Sequence, residues 1–325
     1  MKDIFKRSQF NPILEPDLYN TLESKKVYNP GVVFDNGEYF MYYRAVGNDD
    51  RSCIRLAISS DGECFVKQDE TILEPKLKID RKGVEDPRIQ KVGGKYYMTY
   101  TAYDGKCARL CFAVSSDLYK FKKQGRMLSD WDAERANSFE VEWDMAQHNK
   151  IAKKEWHKAG GIFSKKMAGK YWMLFGDRNI WLASSRFGKK WKENITPFIG
   201  PRDGYFDSVH VEMGPPPIET DEGWLVLYHG VDEYAVYRLG YLLLDLDNPM
   251  NIIKRSDEAI FEPSEGYELD IETDQEDLLE GGKVQPLVVF CNGAILDDNN
   301  ELKIYYGAGD SVVRTATAKL KDVLK

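Results

Sequence analysis

Apolar and polar positions alternate with a period of two over five stretches of this chain, and each stretch turns back on itself at a glycine or an asparagine. The first reads VVFDNGEYFMYYRA (Val32–Ala45), then CIRLAISSDG (Cys53–Gly62). Its order is apolar strand, Asx/Gly turn, aromatic-rich strand, loop, and a third strand closing on Ser-Ser-Asp. The same order returns as RIQKVGGKYYMTYTAYDG and ARLCFAVSSD (Arg88–Asp117) and as IFSKKMAGKYWMLFGDR and IWLASS (Ile162–Ser185). It returns again as PIETDEGWLVLYHGV and YRLGYLLLD (Pro217–Asp245), then as VVFCNGAILDDNNELKIYYGAGD and VVRTATAKL (Val288–Leu320). Runs rich in Val, Ile, Tyr and Phe, bounded by Gly, Asp and Asn, are strand and hairpin chemistry, with turns at Gly37, Gly94, Gly169, Gly223 and near Asn300.

A second echo, NPILEP (Asn11–Pro16), TILEP (Thr71–Pro75), PFIGP (Pro197–Pro201) and AIFEP (Ala259–Pro263), suggests a fourth strand per unit. Proline is tolerated mainly on edge strands, so these are expected outermost. Four-stranded units repeated radially predict an all-β fold, a five-bladed β-propeller. The last unit lacks a fourth strand while the chain begins with an orphan one. The N-terminal strand is therefore expected to complete the last blade and close the ring. One catalytic domain over residues 1–325 is expected, with a charged, Trp-rich and partly helical insertion at about 118–158. An open β-sandwich is the alternative.

Composition narrows the function classes. The 325 residues carry a net charge of −8 and no basic stretch interleaved with aromatics, so nucleic acid is excluded as a partner. No run is apolar enough to span a membrane, the N-terminus lacks a signal-peptide core, and the five cysteines show no paired spacing. These features point to a cytoplasmic protein with reduced thiols, for which a homo-oligomer remains compatible. Aromatic residues at 13% suit strands, and also suit stacking on sugar rings.

Propeller geometry chooses candidate site residues. The start of each first strand and the end of each second strand lie on one face near the axis. The starts carry Asn29, Glu85, Asp86, Arg88, Lys158, His210, Glu212 and Gln285. The ends carry Arg44, Tyr103, Asp104, Asp177, Arg178, His229 and Asp310. Any one Asp there could be a turn former, Arg44 and Arg88 could pair with acids structurally, and His229 could be a half-buried histidine. Five loops converging with carboxylates, cations and imidazoles read as a site for a polar substrate. No G-x-S-x-G, phosphate-binding glycine loop or His-x-x-x-His spacing occurs, His148 and His157 included, so no metal is expected and acid–base chemistry by carboxylates remains.

At VEDPRI, GKYWMLF, IWLASS, GPPPIETDEGWLVLYHGV and YGAGD the sequence resembles glycoside hydrolase family 130, five-bladed propellers acting on β-mannosides. The resemblance spans nearly the whole chain. It implies an inverting mechanism with Asp86 as proton donor, reaching the glycosidic oxygen through a sugar hydroxyl. Asp310 would be a second substrate-binding aspartate, and Asn29 and Arg44 would line the mannosyl subsite. Phosphorylases of the family hold phosphate with Arg, Lys and His; hydrolases lose part of that set and present glutamates. Here Lys158 and Gly176 stand at two arginine positions, and His210 stands at a lysine position with Glu212 following.

The resemblance therefore implies an exo-acting β-mannoside hydrolase, for β-1,2 links, with Glu212 as base and Glu262, Glu265 or Glu268 as alternatives. Its acid and base carboxyls should lie roughly 6.5–9.5 Å apart. Arg88, Lys158, Tyr103, Asp104, Asp177, Arg178 and His210 would complete the binding set. The alternative is a β-mannoside phosphorylase, a mannosyltransferase to phosphate giving mannose 1-phosphate, with the anion at Lys158, His210 and His229. A third reading is a non-catalytic carbohydrate-binding propeller. No cofactor is expected, inorganic phosphate being a co-substrate only for phosphorolysis.

Overall fold

The computed structural model describes residues 4–139, 155–269 and 287–325. Within them the chain is almost wholly β, with α-helix confined to α1 (Ala133–Asn137) and α2 (Leu320–Val323). A two-residue strand, β1 (Lys6–Arg7), precedes five antiparallel units. The first holds β2 (Lys26–Asp35), β3 (Glu38–Val46), β4 (Ser52–Ser59) and β5 (Val66–Leu73). The second holds β6 (Gly83–Val92), β7 (Lys95–Tyr103), β8 (Ala108–Ser115) and β9 (Lys122–Arg126). After β10 (Trp156–His157), which lies parallel to β8, come β11 (Gly161–Ile162), β12 (Tyr171–Phe175), β13 (Trp181–Ser185) and β14 (Lys192–Glu193). The fourth unit splits its first strand into β15 (His210–Met213) and β16 (Ile218–Thr220), both on β17 (Gly223–Val231), followed by β18 (Val236–Leu244) and β19 (Ile252–Arg255). The fifth is β20 (Leu287–Leu296), β21 (Glu301–Ala308) and β22 (Val312–Lys319).

The N-terminal strand joins this last unit. Lys6 lies opposite Thr317 and Arg7 opposite Ala316, and Leu14 bridges to Val313. The join is fixed by Glu268, whose fully buried carboxylate takes Arg7 at 2.7 Å, Arg314 at 3.1 Å and the Tyr306 hydroxyl at 2.8 Å. Hydrogen bonding groups the described strands into two sheets of nine and one of four, and none closes on itself.

The alternation seen in the sequence buries one apolar layer between each pair of successive units. Tyr42, Ile54, Ile89 and Met98 fill the layer between units one and two, and Leu110, Phe112, Met173 and Trp181 fill that between two and three. Leu174, Leu182, Trp224 and Val226 lie between three and four, and Leu227, Tyr241, Ile304 and Tyr306 between four and five. A fifth layer, with Val27, Met41, Tyr43, Tyr305 and Val313, packs unit five on unit one.

Two boundaries differ from expectation. The proline echoes are not themselves the fourth strands, apart from Thr71–Leu73 at the end of β5. Fourth-strand pairing runs earlier, at β1, β14 and β19, and the echoes add single bridges, Ile180 to Ile199 and Leu239 to Phe261. Proline has no N–H to donate, so a longer ladder cannot form there. The insertion also begins later than residue 118, because Lys122–Arg126 is the outer strand β9 of unit two. Its residues 140–154, with His148, and Gln285 before β20 lie outside the described residues. Among the described residues no helix is long and apolar enough to cross a membrane, and all five cysteines are unpaired.

Candidate active site

The site begins with a fault repeated in the first strands. β2 slips register between Tyr28 and Gly31, β6 between Glu85 and Arg88, and β20 between Cys291 and Gly293. Such bulges take a residue out of the ladder and re-aim its side chain. In β2 and β6 that residue is Asn29 (φ 48°) or Asp86 (φ 52°), each in the left-handed region and each before a proline that cannot donate to the ladder. The strands nest closely: a Cβ at Gly31 would lie 2.6 Å from the Pro87 carbonyl oxygen, and one at Gly293 would lie 2.8 Å from that of Pro30.

Freed from the ladder, Asn29 donates from Nδ2 to Asp86 Oδ1 at 2.9 Å, and Arg44, near the end of β3, reaches the same oxygen at 3.3 Å. Arg44 also donates to Glu85 Oε1 and to the Ser52 hydroxyl, both at 2.9 Å, and its guanidinium lies over the Tyr28 ring. Burial alone would push the Asp86 carboxyl up. The charges of Arg44 and Lys158 and the Asn29 amide outweigh it and hold the group below its usual range. Glu85 goes the other way, raised by burial against the pull of Arg44.

A second cluster faces the first. Lys158 Nζ lies 3.2 Å from Glu212 Oε1 and 3.6 Å from Asp177 Oδ2, and Asp177 also accepts the Trp156 indole N–H at 2.7 Å. Burial works against the ammonium, but Glu212, Asp177 and Asp86 keep it charged, with its pKa raised. His210 Nε2 sits 3.6 Å from Glu212 Oε2 and accepts the backbone N–H of Arg178 at 3.3 Å. Asp310, again left-handed (φ 51°), is open to water. Surrounding protein raises its pKa, with Asp86 adding to that rise and Arg44 opposing it. Water reaching Asp310 screens these effects, so its shift is smaller than that of a dry carboxylate.

Other expected residues have different surroundings. Arg88 is buried and gives its donors to three carbonyls, those of Gly214 (2.7 Å), Met213 (2.7 Å) and Asp86 (3.1 Å), which braces unit two against unit four. Asp104 caps its own loop through the N–H groups of Lys106 and Cys107 and pairs with Arg109. His229 is wholly buried, stacks on Phe290 at 4.2 Å and accepts the Cys291 N–H, and burial holds it neutral. Tyr103 packs edge-on to Trp156 at 6.3 Å. Of the alternative bases, Glu262 pairs with Arg238, Glu265 with Arg314, and Glu268 is locked at the N-terminal join.

Tyr237 was missed. At the start of β18 it lies 6.1 Å from His210, ring to ring, and within reach of the charges of Glu212 and Lys158. Third strands gave no positional signal. A cleft of about 450 Å³ lined by Phe5, Tyr241, Phe261 and Glu262 includes none of Asn29, Arg44, Asp86, Lys158 and Glu212. Among the described residues no group of His, Cys, Asp and Glu converges to hold a metal.

Taken together, these contacts set a buried carboxyl, Asp86, against a pocket holding a fixed cation and further carboxylates. Such a pair suits displacement at a sugar centre by an anion or by water.

The profile of the family described as β-1,4-mannooligosaccharide phosphorylase matches residues 1–325. A 1,2-β-oligomannan phosphorylase of Thermoanaerobacter sp. (strain X514) is 32% identical over 329 residues, 98% of each chain. A β-1,2-mannobiose phosphorylase of the same organism is 33% identical over 330 residues, 96% of each. A solved structure described as showing that the GH130 mannoside phosphorylases contain glycoside hydrolases targeting β-1,2 linkages in Candida mannan superposes with a TM-score of 0.79. It is 27% identical and covers 96% of this chain and 93% of its own.

Proposed function

The chain belongs to glycoside hydrolase family 130, and from that premise we propose that it is an inverting β-mannoside phosphorylase, acting on β-1,2-linked manno-oligosaccharides and releasing mannose 1-phosphate. The observation that carries this is the fixed Lys158 ammonium in the cluster facing Asp86, in a chain about one-third identical to two β-1,2-mannoside phosphorylases. Asp86 would protonate the leaving sugar, taking up its proton once the phosphate anion offsets the Lys158 charge that otherwise lowers its pKa. Lys158, with Arg178 and His210 beside it, would hold the attacking phosphate; Tyr237 and Asp177 complete that wall. Asn29, Arg44 and Asp310 would bind the mannosyl unit. His229, buried and neutral, supports this wall from behind rather than contributing charge.

Hydrolysis, the first expectation, ranks second. Gly176 stands where the resemblance implies an arginine, and Glu212 lies beside Lys158 where a base for water would sit. Its ion pair with Lys158 leaves it less suited to that task. Reversibility separates the two. A phosphorylase supplied with α-mannose 1-phosphate and mannose makes β-1,2-mannobiose and liberates inorganic phosphate, whereas absence of any disaccharide beside free mannose release from mannobiose would establish hydrolysis.

The same reading takes the five units as blades of a closed five-bladed propeller in one domain. Its support is the five apolar layers in cyclic order, the last joining unit five to unit one. A reducing compartment, the cytoplasm, suits five unpaired thiols, three of them buried.

A further inference from the structure

The donor carboxylate is held by a chain of amides that starts in the last unit. Asn292, the extra residue of the β20 bulge, is fully buried and donates from Nδ2 to the backbone carbonyl of Asn29 at 3.4 Å. Asn29, itself buried, donates its side-chain N–H to Asp86. The amide oxygens of both asparagines are buried without a hydrogen-bond donor. A buried polar atom left unpaired is costly, and so is left-handed backbone at a residue bearing a side chain. Asn29 carries both costs, and its neighbours keep it there. On one side Asn292 fixes its carbonyl. On the other, β21 offers Gly307, where a Cβ would stand 2.3 Å from Asn29 Oδ1 and 2.9 Å from its backbone nitrogen. Unit five therefore shapes the slot from which unit one steadies the carboxylate of unit two.

We propose that Asn292 is a positioning residue for the proton donor. It acts through Asn29 to fix the place and ionisation of Asp86, with Gly307 leaving the room this needs. The proposal rests on the reading of Asp86 as donor. Asn292→Leu matches the side chain in size and cannot donate; Asn292→Ser keeps a polar group too short to reach Asn29, and serves if the leucine variant fails to fold.

The first readout needs no substrate: titration of the Asp86 carboxyl by carbon-13 NMR in the folded variant. Loss of the Asn29 hydrogen bond removes a stabiliser of the carboxylate, so Asp86 should titrate at higher pH than in the unaltered protein. The second is kcat on β-1,2-mannobiose, expected to fall by about tenfold to a hundredfold, as a ~1 Å misplacement produces, while KM for phosphate moves less than about twofold. Asn29→Ala should lose as much, and adding Asn292→Leu to it should cost nothing further. A folded Asn292 variant with unchanged Asp86 titration and kcat would overturn the proposal. Absence of mannoside cleavage in the unaltered protein would instead overturn the functional reading, and the NMR titration would still decide the role of Asn292.

Discussion

At the residue scale the site is a balance between burial and charge. Asp86 is buried and Lys158 half-buried, yet charge outweighs desolvation at each: Arg44 and Lys158 lower the Asp86 pKa, and Glu212, Asp177 and Asp86 raise that of Lys158. Removing one should be visible at the other. Lys158→Met deletes a cation that lowers Asp86, so the Asp86 carboxyl should titrate at higher pH. Phosphate should bind at least about tenfold more weakly, since a charged hydrogen bond contributes roughly 1.5–3 kcal/mol. A KM for phosphate within twofold of the starting enzyme would remove Lys158 from the anion site. That Asn29, Arg44, Asp86 and Lys158 come together was legible in the sequence because the starts of first strands and the ends of second strands form a short, nameable set. Residue type did not separate binder from brace within that set: Arg88 and Asp104 qualified by position, and backbone groups took their hydrogen bonds. Tyr237 was illegible because the positional rule covered first and second strands only.

The bulged first strand is the device that matters at the element scale. Hairpin turns announced themselves through glycine and asparagine, but two-residue outer strands such as β1 and β14 carry no period to read. The bulges were present in the sequence as Asn-Pro and Asp-Pro, without any sign that they nest. Gly31 makes the nesting of β2 on β6 possible. Gly31→Ala would drive a methyl group to 2.6 Å from the backbone carbonyl of Pro87, which has no side-chain freedom to yield. The expected cost is about 1–3 kcal/mol of stability, measured by urea unfolding, with a fall in kcat because Pro87 follows Asp86, the proposed donor. An unchanged midpoint would mean the strands relax apart freely.

Across the whole molecule, each unit buries its apolar faces against the next, and the N-terminal strand ties the last unit through Arg7 and Glu268. The order of the units was legible from repetition; this latch was not, since its partners are 261 residues apart. Two buried histidines between units make the assembly sensitive to acid. His157 accepts the Leu110 N–H and His229 that of Cys291, so each must stay neutral in the fold. Burial lowers both from the ordinary 6.5, and protonation therefore favours the unfolded chain. Their contribution to stability is complete above about pH 6.5 and is lost as the pH falls below it. Tm should drop steadily from pH 6.5 towards 5, and drop less in His157→Gln; identical profiles would assign the acid sensitivity elsewhere.

The most direct measurement is product analysis of β-1,2-mannobiose incubated with and without millimolar inorganic phosphate. Phosphorolysis gives mannose 1-phosphate and mannose in equal amounts with phosphate, and almost no turnover without it. Two equivalents of free mannose at the same rate in both conditions would contradict it, transfer the role of nucleophile to water, and make Glu212 its activating base.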